Sequence, residues 1–149
     1  MLPISGDQLI QFIPQKPPFV LISSLTEINQ DTCVTTFSFD RTHVLTENGK
    51  LSAAGLLENM AQSAGCKMGY EDFITQKKSR RGFIGEIKDF QFTRLPEAGE
   101  ELITEIFIEG KVFGAVTLIA GRIRSGNEPV ASCRMKVFFE PEPEEPSTT

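Results

Sequence analysis

A chain of 149 residues has the usual length of one domain, and at that length folding buries roughly 68–70% of the unfolded surface, so a single core suffices. Its 40% hydrophobic and 23% charged residues exclude the charge-rich, apolar-poor balance of a disordered chain and remove any need for a metal or disulfide staple. The net charge of −5, with no long Lys/Arg tract, argues against nucleic acid as a partner, because neutralising phosphates requires a basic face.

Three cysteines, Cys33, Cys66 and Cys133, are widely spaced and lack a CxxC pair, and His43 is the single histidine, so neither a metal site nor a cofactor is expected. Residues Met1 to Gln15 show no basic start followed by a long apolar stretch, which together with free thiols predicts a cytoplasmic protein. The longest largely apolar run, Val112 to Ala120, falls well short of the roughly 20 residues of a spanning helix, so no membrane association is expected.

In chain order, Ser5 to Ile13 reads as a short helix capped by Ser5 or Asp7 and stopped by Pro14. Phe19–Ile28 and Thr32–Phe39 are rich in β-branched and aromatic residues around the turn Asn29-Gln30-Asp31, which predicts a hairpin. In its second strand Cys33, Thr35, Phe37 and Phe39 share one face. Arg41 to Lys50 is expected to be a loop with an Asn48-Gly49 turn, after which the apolar period changes from two to about 3.6.

Ser52 is a natural N-cap for a helix running from Ala53 to about Phe73, on which Leu57, Met60 and Met68, with Ala53 and Ala64 between them, share one arc. Glu58 falls at the margin of that arc, on a line with Ala54, Ala61, Gln62, Gly65 and Gly69. Small residues let another backbone approach, so this line is read as packed or cleft-lining, and the opposite face (Asn59, Ser63, Cys66, Tyr70) is barely charged. The helix is expected to be wrapped on most sides.

Four strands follow, over Phe83–Leu95, Glu101–Glu109, Lys111–Arg124 and Val130–Glu140, with turns at Pro96–Gly99, Glu109-Gly110 and Ser125–Asn127. The tail from Pro141 to Thr149 is Pro-rich and acidic and is expected to be flexible, leaving residues 1–140 as the single domain. Two strands, one long helix and four strands fit an α+β hot-dog fold, an antiparallel sheet wrapped around one central helix. Its edge strands would be hidden by pairing across a two-fold axis, so at least a homodimer is expected.

Three segments carry a family resemblance covering about Ile13 to Val137. Ile13-Pro-Gln-Lys-Pro-Pro-Phe-Val-Leu-Ile resembles the amino-terminal Leu-Pro-His-x-x-Pro-Phe-Leu-Leu-Val of the 3-hydroxyacyl-carrier-protein dehydratases, with Gln15 at the histidine. Leu57-Glu-Asn-Met-Ala-Gln-Ser-Ala-Gly65 is similar to their helical Ile-Glu-Ala-Met-Ala-Gln-x-x-Gly. The stretch from Phe83 to Pro96, followed by Gly99-Glu100, is similar to their strand after the helix. Asn48-Gly-Lys-Leu-Ser together with Gln15 resembles the divergent branch found with aryl polyene and flexirubin synthesis.

The resemblance implies dehydration of 3-hydroxyacyl thioesters to trans-2-enoyl thioesters, on acyl carrier protein or coenzyme A, in fatty-acid or polyene-type biosynthesis. It makes Glu58 the catalytic acid and His43 the candidate base, the two coming from opposite protomers, with Gln62, Ala53, Ala54 and Gly85 as substrate-binding residues. Helix-end amides near Ala53 and Ala54 would polarise the thioester carbonyl. His43 precedes Glu58 by fifteen residues where the family has fourteen, its loop lacks the family's Phe-Pro-Gly, and Ser52-Ala53 replace the family's Pro-Gly.

Two other readings stand beside this one: a hot-dog thioesterase in which Glu58 activates water, and a catalytically weak acyl-binding subunit partnering an active dehydratase. Gln15 is expected to be structural, its amide satisfying nearby backbone. The basic run Lys77-Lys78-Ser79-Arg80-Arg81, by default a solvated loop, would suit docking of an acidic carrier protein.

Overall fold

The computed structural model describes residues 2–78, 82–112 and 115–140; the tail 141–149 and Ser79, Arg80 and Arg81 of the basic run lie outside them. The chain opens with a two-residue strand, β1 (Ile4–Ser5), and a single helical turn, α1 (Asp7–Ile10). That turn is shorter than the expected Ser5–Ile13 helix, and Gly6 occupies its N-cap with no side-chain cap bond.

Strands β2 (Ser24–Ile28) and β3 (Thr32–Ser38) form the expected hairpin. The first strand does not begin at Phe19, and the reason is where its backbone bonds go. Phe19 O and Leu21 N are taken by the carboxamide of Gln62, Leu21 O by Asn59 Nδ2, and Val20 O by His43 Nε2. Backbone groups occupied by helix and loop side chains have none left for a strand ladder.

The Arg41–Lys50 loop contains a miniature hairpin, β4 (Thr46–Glu47) and β5 (Lys50–Leu51). Its turn is Asn48-Gly49, with φ of 52° and 78°, the left-handed pair that a tight hairpin demands and that Asn and Gly tolerate best. Leu51 N donates to Pro96 O and Ala98 N to Gly49 O, both at 2.8 Å, so this hairpin is fastened to the Pro96–Gly99 turn.

Helix α2 (Ala53–Ile74) starts where the sequence puts it, with Ser52 Oγ accepting the Gly55 amide at 3.1 Å. Its most buried side overlaps the expected arc only in part, through Met60 and Ala64. Leu57 and Met68 are only half-buried, whereas Leu56, Asn59, Met60, Ser63, Cys66 and Lys67 are buried. The side pressed into the sheet combines Leu56 and Met60 with polar residues that have partners there: Ser63 Oγ meets Thr35 Oγ1 at 2.7 Å, and Thr104 Oγ1 donates to Asn59 Oδ1.

The remaining strands are β6 (Gly82–Phe92), β7 (Glu101–Val112), β8 (Val116–Ser125) and β9 (Glu128–Phe139). Glu109-Gly110 is a register shift inside β7 rather than a turn, and the connection lies between Val112 and Val116. The described strands apart from β4 and β5 make one sheet in the order β1-β2-β3-β7-β8-β9-β6, every pairing antiparallel. It curls around α2 in the hot-dog arrangement. The inward face of β9 alternates as expected, with Ala131, Cys133, Met135, Val137 and Phe139 buried. Burial pushes the thiols of Cys33 and Cys66 up to about 12 and that of Cys133 to about 11, the behaviour of inert core cysteines. Among the described residues no helix is long and apolar enough to cross a membrane.

The segment joining β6 to β7 is locked by Arg94. Its guanidinium holds Glu100 through two bonds of 2.8 and 2.7 Å and Glu128 through a third of 2.9 Å. These bonds, aided by the Glu97 amide and the Ser125 hydroxyl, hold the Glu100 carboxyl down at about 2. A carboxylate whose folded value lies below its unfolded one stabilises the fold above the unfolded value and loses that contribution as pH falls through the folded one. Because Glu100 and Arg94 are 25% and 33% exposed, solvent screening limits the gain to about 1 kcal/mol. Glu100→Gln is therefore expected to lower Tm by about 2–4 °C at pH 7. In a pH series of thermal melts the gap to wild type should close between about pH 4.3 and about 2.

Candidate active site

Glu58 and Gln62 project from adjacent turns of α2 into the wall of a cavity of about 520 Å³. The cavity lies between the helix, the Phe12–Gln15 segment and the ends of β6 and β9, and most of its lining is apolar: Phe12, Ile13, Phe83, Ile84, Val137 and Phe139. Glu58 is half-buried and its Oε1 accepts from Gln62 Nε2 at 3.1 Å. Gln62 is itself held rigidly, its second N–H on Phe19 O and its Oε1 on the Leu21 amide, each at 2.8 Å. Both Gln62 donors are thus committed within the protein, and its effect is to orient the carboxyl of Glu58.

The small-residue line behaves differently at its two glycines. A Cβ on Gly69 would lie 2.0 Å from Phe12 O, so the backbone that forms one cavity wall rests directly on the helix there. Phe12 is further pinned by edge-on contacts with Tyr70 and Phe73, at ring-centroid distances of 5.6 and 5.4 Å. A Cβ on Gly65 would meet nothing within 4 Å. Gly65→Ala is thus expected to stabilise the helix by up to about 1 kcal/mol, whereas Gly69→Ala should lose about 1–3 kcal/mol despite the same gain in propensity. Chemical denaturation of the two variants side by side checks this.

His43 does not enter this cavity. Its Nε2 donates to Val20 O at 3.0 Å and its Nδ1 accepts the Leu45 amide at 3.1 Å, while its ring packs edge-on against Phe37. These partners fix the neutral Nε2–H tautomer and leave neither nitrogen a free lone pair. It borders a separate concavity with Pro17, Pro18, Asp40 and Val44. Ala53 and Ala54, at the amino end of α2, and Gly85 also lie outside the cavity lining. Gly85 sits at a β6 bulge beneath Phe138, where a Cβ would come within 1.9 Å of the ring.

Sequence reasoning missed the cavity's apolar walls and misjudged Gln15. The Gln15 side chain lines the cavity, and its Oε1 is buried without a hydrogen-bond partner, so it does not satisfy nearby backbone as expected. The position carried a signal, since it departs from the family's histidine, but only the fold shows which side chain faces the cavity.

No curated protein sequence matches the chain. Among solved structures it is similar to the dehydratase heterocomplex ApeI:P from Xenorhabdus doucetiae, with a TM-score of 0.81 at 16% identity over 97% of this chain and 93% of that one. It also resembles the E. coli PaaI protein from the phenylacetic acid degradation operon, with a TM-score of 0.62 at 12% identity over 76% and 80% of the two chains. A hypothetical thioesterase from Streptococcus pneumoniae TIGR4, solved with coenzyme A, gives a TM-score of 0.63 at 11% identity over 80% and 87%. At these identities the likeness speaks for the hot-dog fold. The family is carried by sequence, through a match of residues 8–148 to the ApeP-like model described as ApeP dehydratase, which agrees with the aryl polyene-associated branch that Gln15 and Asn48–Ser52 pointed to. A match over nearly the whole chain, folded as a hot dog with Glu58 and Gln62 of its helix in the cavity wall, places this protein in the ApeP-like dehydratase family.

Proposed function

We propose that this chain is one half of a dehydratase converting 3-hydroxyacyl thioesters, carried on acyl carrier protein, into trans-2-enoyl thioesters. Glu58 is the acid, and the base comes from a related dehydratase chain paired with it. In this step the base takes the proton α to the thioester carbonyl and Glu58 gives its proton to the 3-hydroxyl. The C–O bond breaks, the double bond forms and water leaves.

The observation that carries the reading is the split between the two expected catalytic residues. Glu58 is held by Gln62 in the wall of an apolar cavity, whereas both nitrogens of His43 are used by backbone. The partner chain is supported by the β6 edge, where Phe83, Ile84, Ile87 and Phe92 are exposed along the strand and the first two border the cavity, and by the likeness to a structure whose own dehydratase is a heterocomplex. An unpaired strand edge bearing exposed aromatics is a natural place for a second chain.

The same hydrogen bonds on His43 favour a second reading, in which the partner performs all the chemistry and this chain only binds the acyl group. To test both, the purified chain is offered 3-hydroxyacyl and enoyl thioesters on carrier protein and on coenzyme A. It is assayed alone and mixed with a hot-dog dehydratase chain carrying the Gly-His-Phe-Pro-Gly loop, and products are identified by mass spectrometry. Enoyl thioester formed only by the mixture, and lost with Glu58→Gln, is the expected result. Turnover by the mixture that is indifferent to Glu58 would select the acyl-binding reading, and release of free acid would replace both with a thioesterase.

A further inference from the structure

The cavity beside Glu58 has a direction. Glu58 is the first residue of α2 in its lining and Gly65 the last, so the space runs from the carboxyl toward the carboxy-terminal end of the helix. Strand β9 runs the same way. Met60 Sδ meets Cys133 Sγ at 3.7 Å, and further along both elements Ala64 and Met68 share a small pocket with Phe139. A polar thioester entering beside Glu58 therefore has an apolar path for its acyl tail, along the helix toward Phe139. Gly65, where a Cβ would meet nothing within 4 Å, leaves that path open.

Phe139 closes it. Among the described residues it is the one that borders both the cavity of about 520 Å³ and the pocket of about 30 Å³ behind it. Its place is fixed, because its amide donates to Ala115 O at 3.2 Å and its ring lies over Gly82, where a Cβ would come within 2.7 Å of Cε1. Behind the ring is the buried Lys67, whose Nζ donates to Gln30 O at 2.8 Å and pairs with Glu71. An apolar tail that passed the ring would press on a buried ammonium and disturb its partners, which is unfavourable.

We infer that Phe139 sets the length of the acyl chain that this cavity accepts. The inference rests on the acyl-thioester reading above and adds the position of its chain-length limit. From Glu58 to the level of Ala64 and Met68 the helix rises about 9–15 Å, the extended length of a medium acyl chain. Each methylene laid along that path leaves water for an apolar wall and raises affinity about fourfold. The gain stops at the ring, because the space behind it is small and lined by charge. Gly82 belongs to the same device, since a side chain there would displace the ring.

The test is a titration of the full-length chain, as it assembles in solution, with saturated acyl thioesters of increasing length on carrier protein, which bind without being dehydrated. In the native protein affinity is expected to climb about fourfold per methylene and to level off at a medium chain length. Phe139→Ala should move that limit a few carbons longer and Phe139→Leu by less. Gly65→Leu, which fills the path ahead of the ring, should move it shorter. Thermal melts identify the folded variants, and Phe139→Leu, which keeps an apolar side chain in the core, carries the comparison if Phe139→Ala does not fold. A limit that stays in place in the folded Phe139 variants while Gly65→Leu shortens it overturns the role of Phe139 and leaves the acyl-thioester reading standing. A limit that none of the three moves overturns the path along α2, and the role of Phe139 with it. Affinity that does not rise with chain length, for the chain alone and for the mixture with a dehydratase partner, overturns the acyl-thioester reading and this inference together.

Discussion

Glu58→Gln is expected to lower the kcat of dehydration by about 10²–10⁴-fold while leaving acyl-thioester affinity within a few-fold of wild type, as measured on the paired protein by initial rates and by ligand titration. The substitution keeps the shape of the side chain and an oxygen for Gln62 Nε2 to reach, so the cavity wall is preserved and only the transferable proton is lost. A fall in kcat with retained binding is the signature of a group acting in the transition state, whereas loss of binding with kcat intact would make Glu58 part of the acyl seat. Gln62→Leu should act in both ways. It releases Glu58 and also strips partners from Phe19 O and Leu21 N, so reduced turnover should come with reduced stability.

The largest stability effect is expected at Asn59. The residue is fully buried, its Nδ2 donates to Leu21 O at 2.7 Å and its Oδ1 accepts from Thr104 Oγ1 in the middle of β7. Asn59→Ala leaves a buried carbonyl and a buried hydroxyl unpaired and opens a void beneath the helix. Together these should lose about 3 kcal/mol, or about 6–12 °C in Tm. Thr104→Val removes the donor on the other side. Because the two residues share one hydrogen bond, the double variant should lose clearly less than the sum of the single losses when all three are compared by denaturant unfolding. An additive result would show that the helix and β7 are held by packing alone.

Both predictions depend on one feature of the fold: the segment Phe19–Leu21 is a strip of backbone fastened by side chains. Gln62 and Asn59 reach it from α2 and His43 reaches it from the loop, so two residues expected to serve the chemistry, Gln62 and His43, also form the scaffold between helix and sheet. Gln62 serves both ends, because the amide that anchors this strip also aims Glu58. The histidine has no such second function within the chain, since both of its nitrogens are already used.

The amino-acid sequence by itself determined the order of elements, the start of α2 at Ser52, the turn at Asn48-Gly49, the alternating faces of β3 and β9, and the placing of Glu58 one turn from Gln62. Each depends on neighbours within a few residues, through a cap, a turn preference or a period of 2 or 3.6, and such signals are written locally. Tertiary structure alone decided which face of α2 is pressed into the sheet, because Asn59 and Ser63 look like surface residues until Thr104 and Thr35 are brought to them. It also decided that Phe19–Leu21 is no strand, that His43 is held by Val20 and Leu45, and that the Gln15 carboxamide oxygen is buried without a partner. Most of these outcomes turn on hydrogen-bond partners some 20 to 45 residues apart in the chain, and a polar side chain carries no local mark of the partner it will meet once the chain is folded.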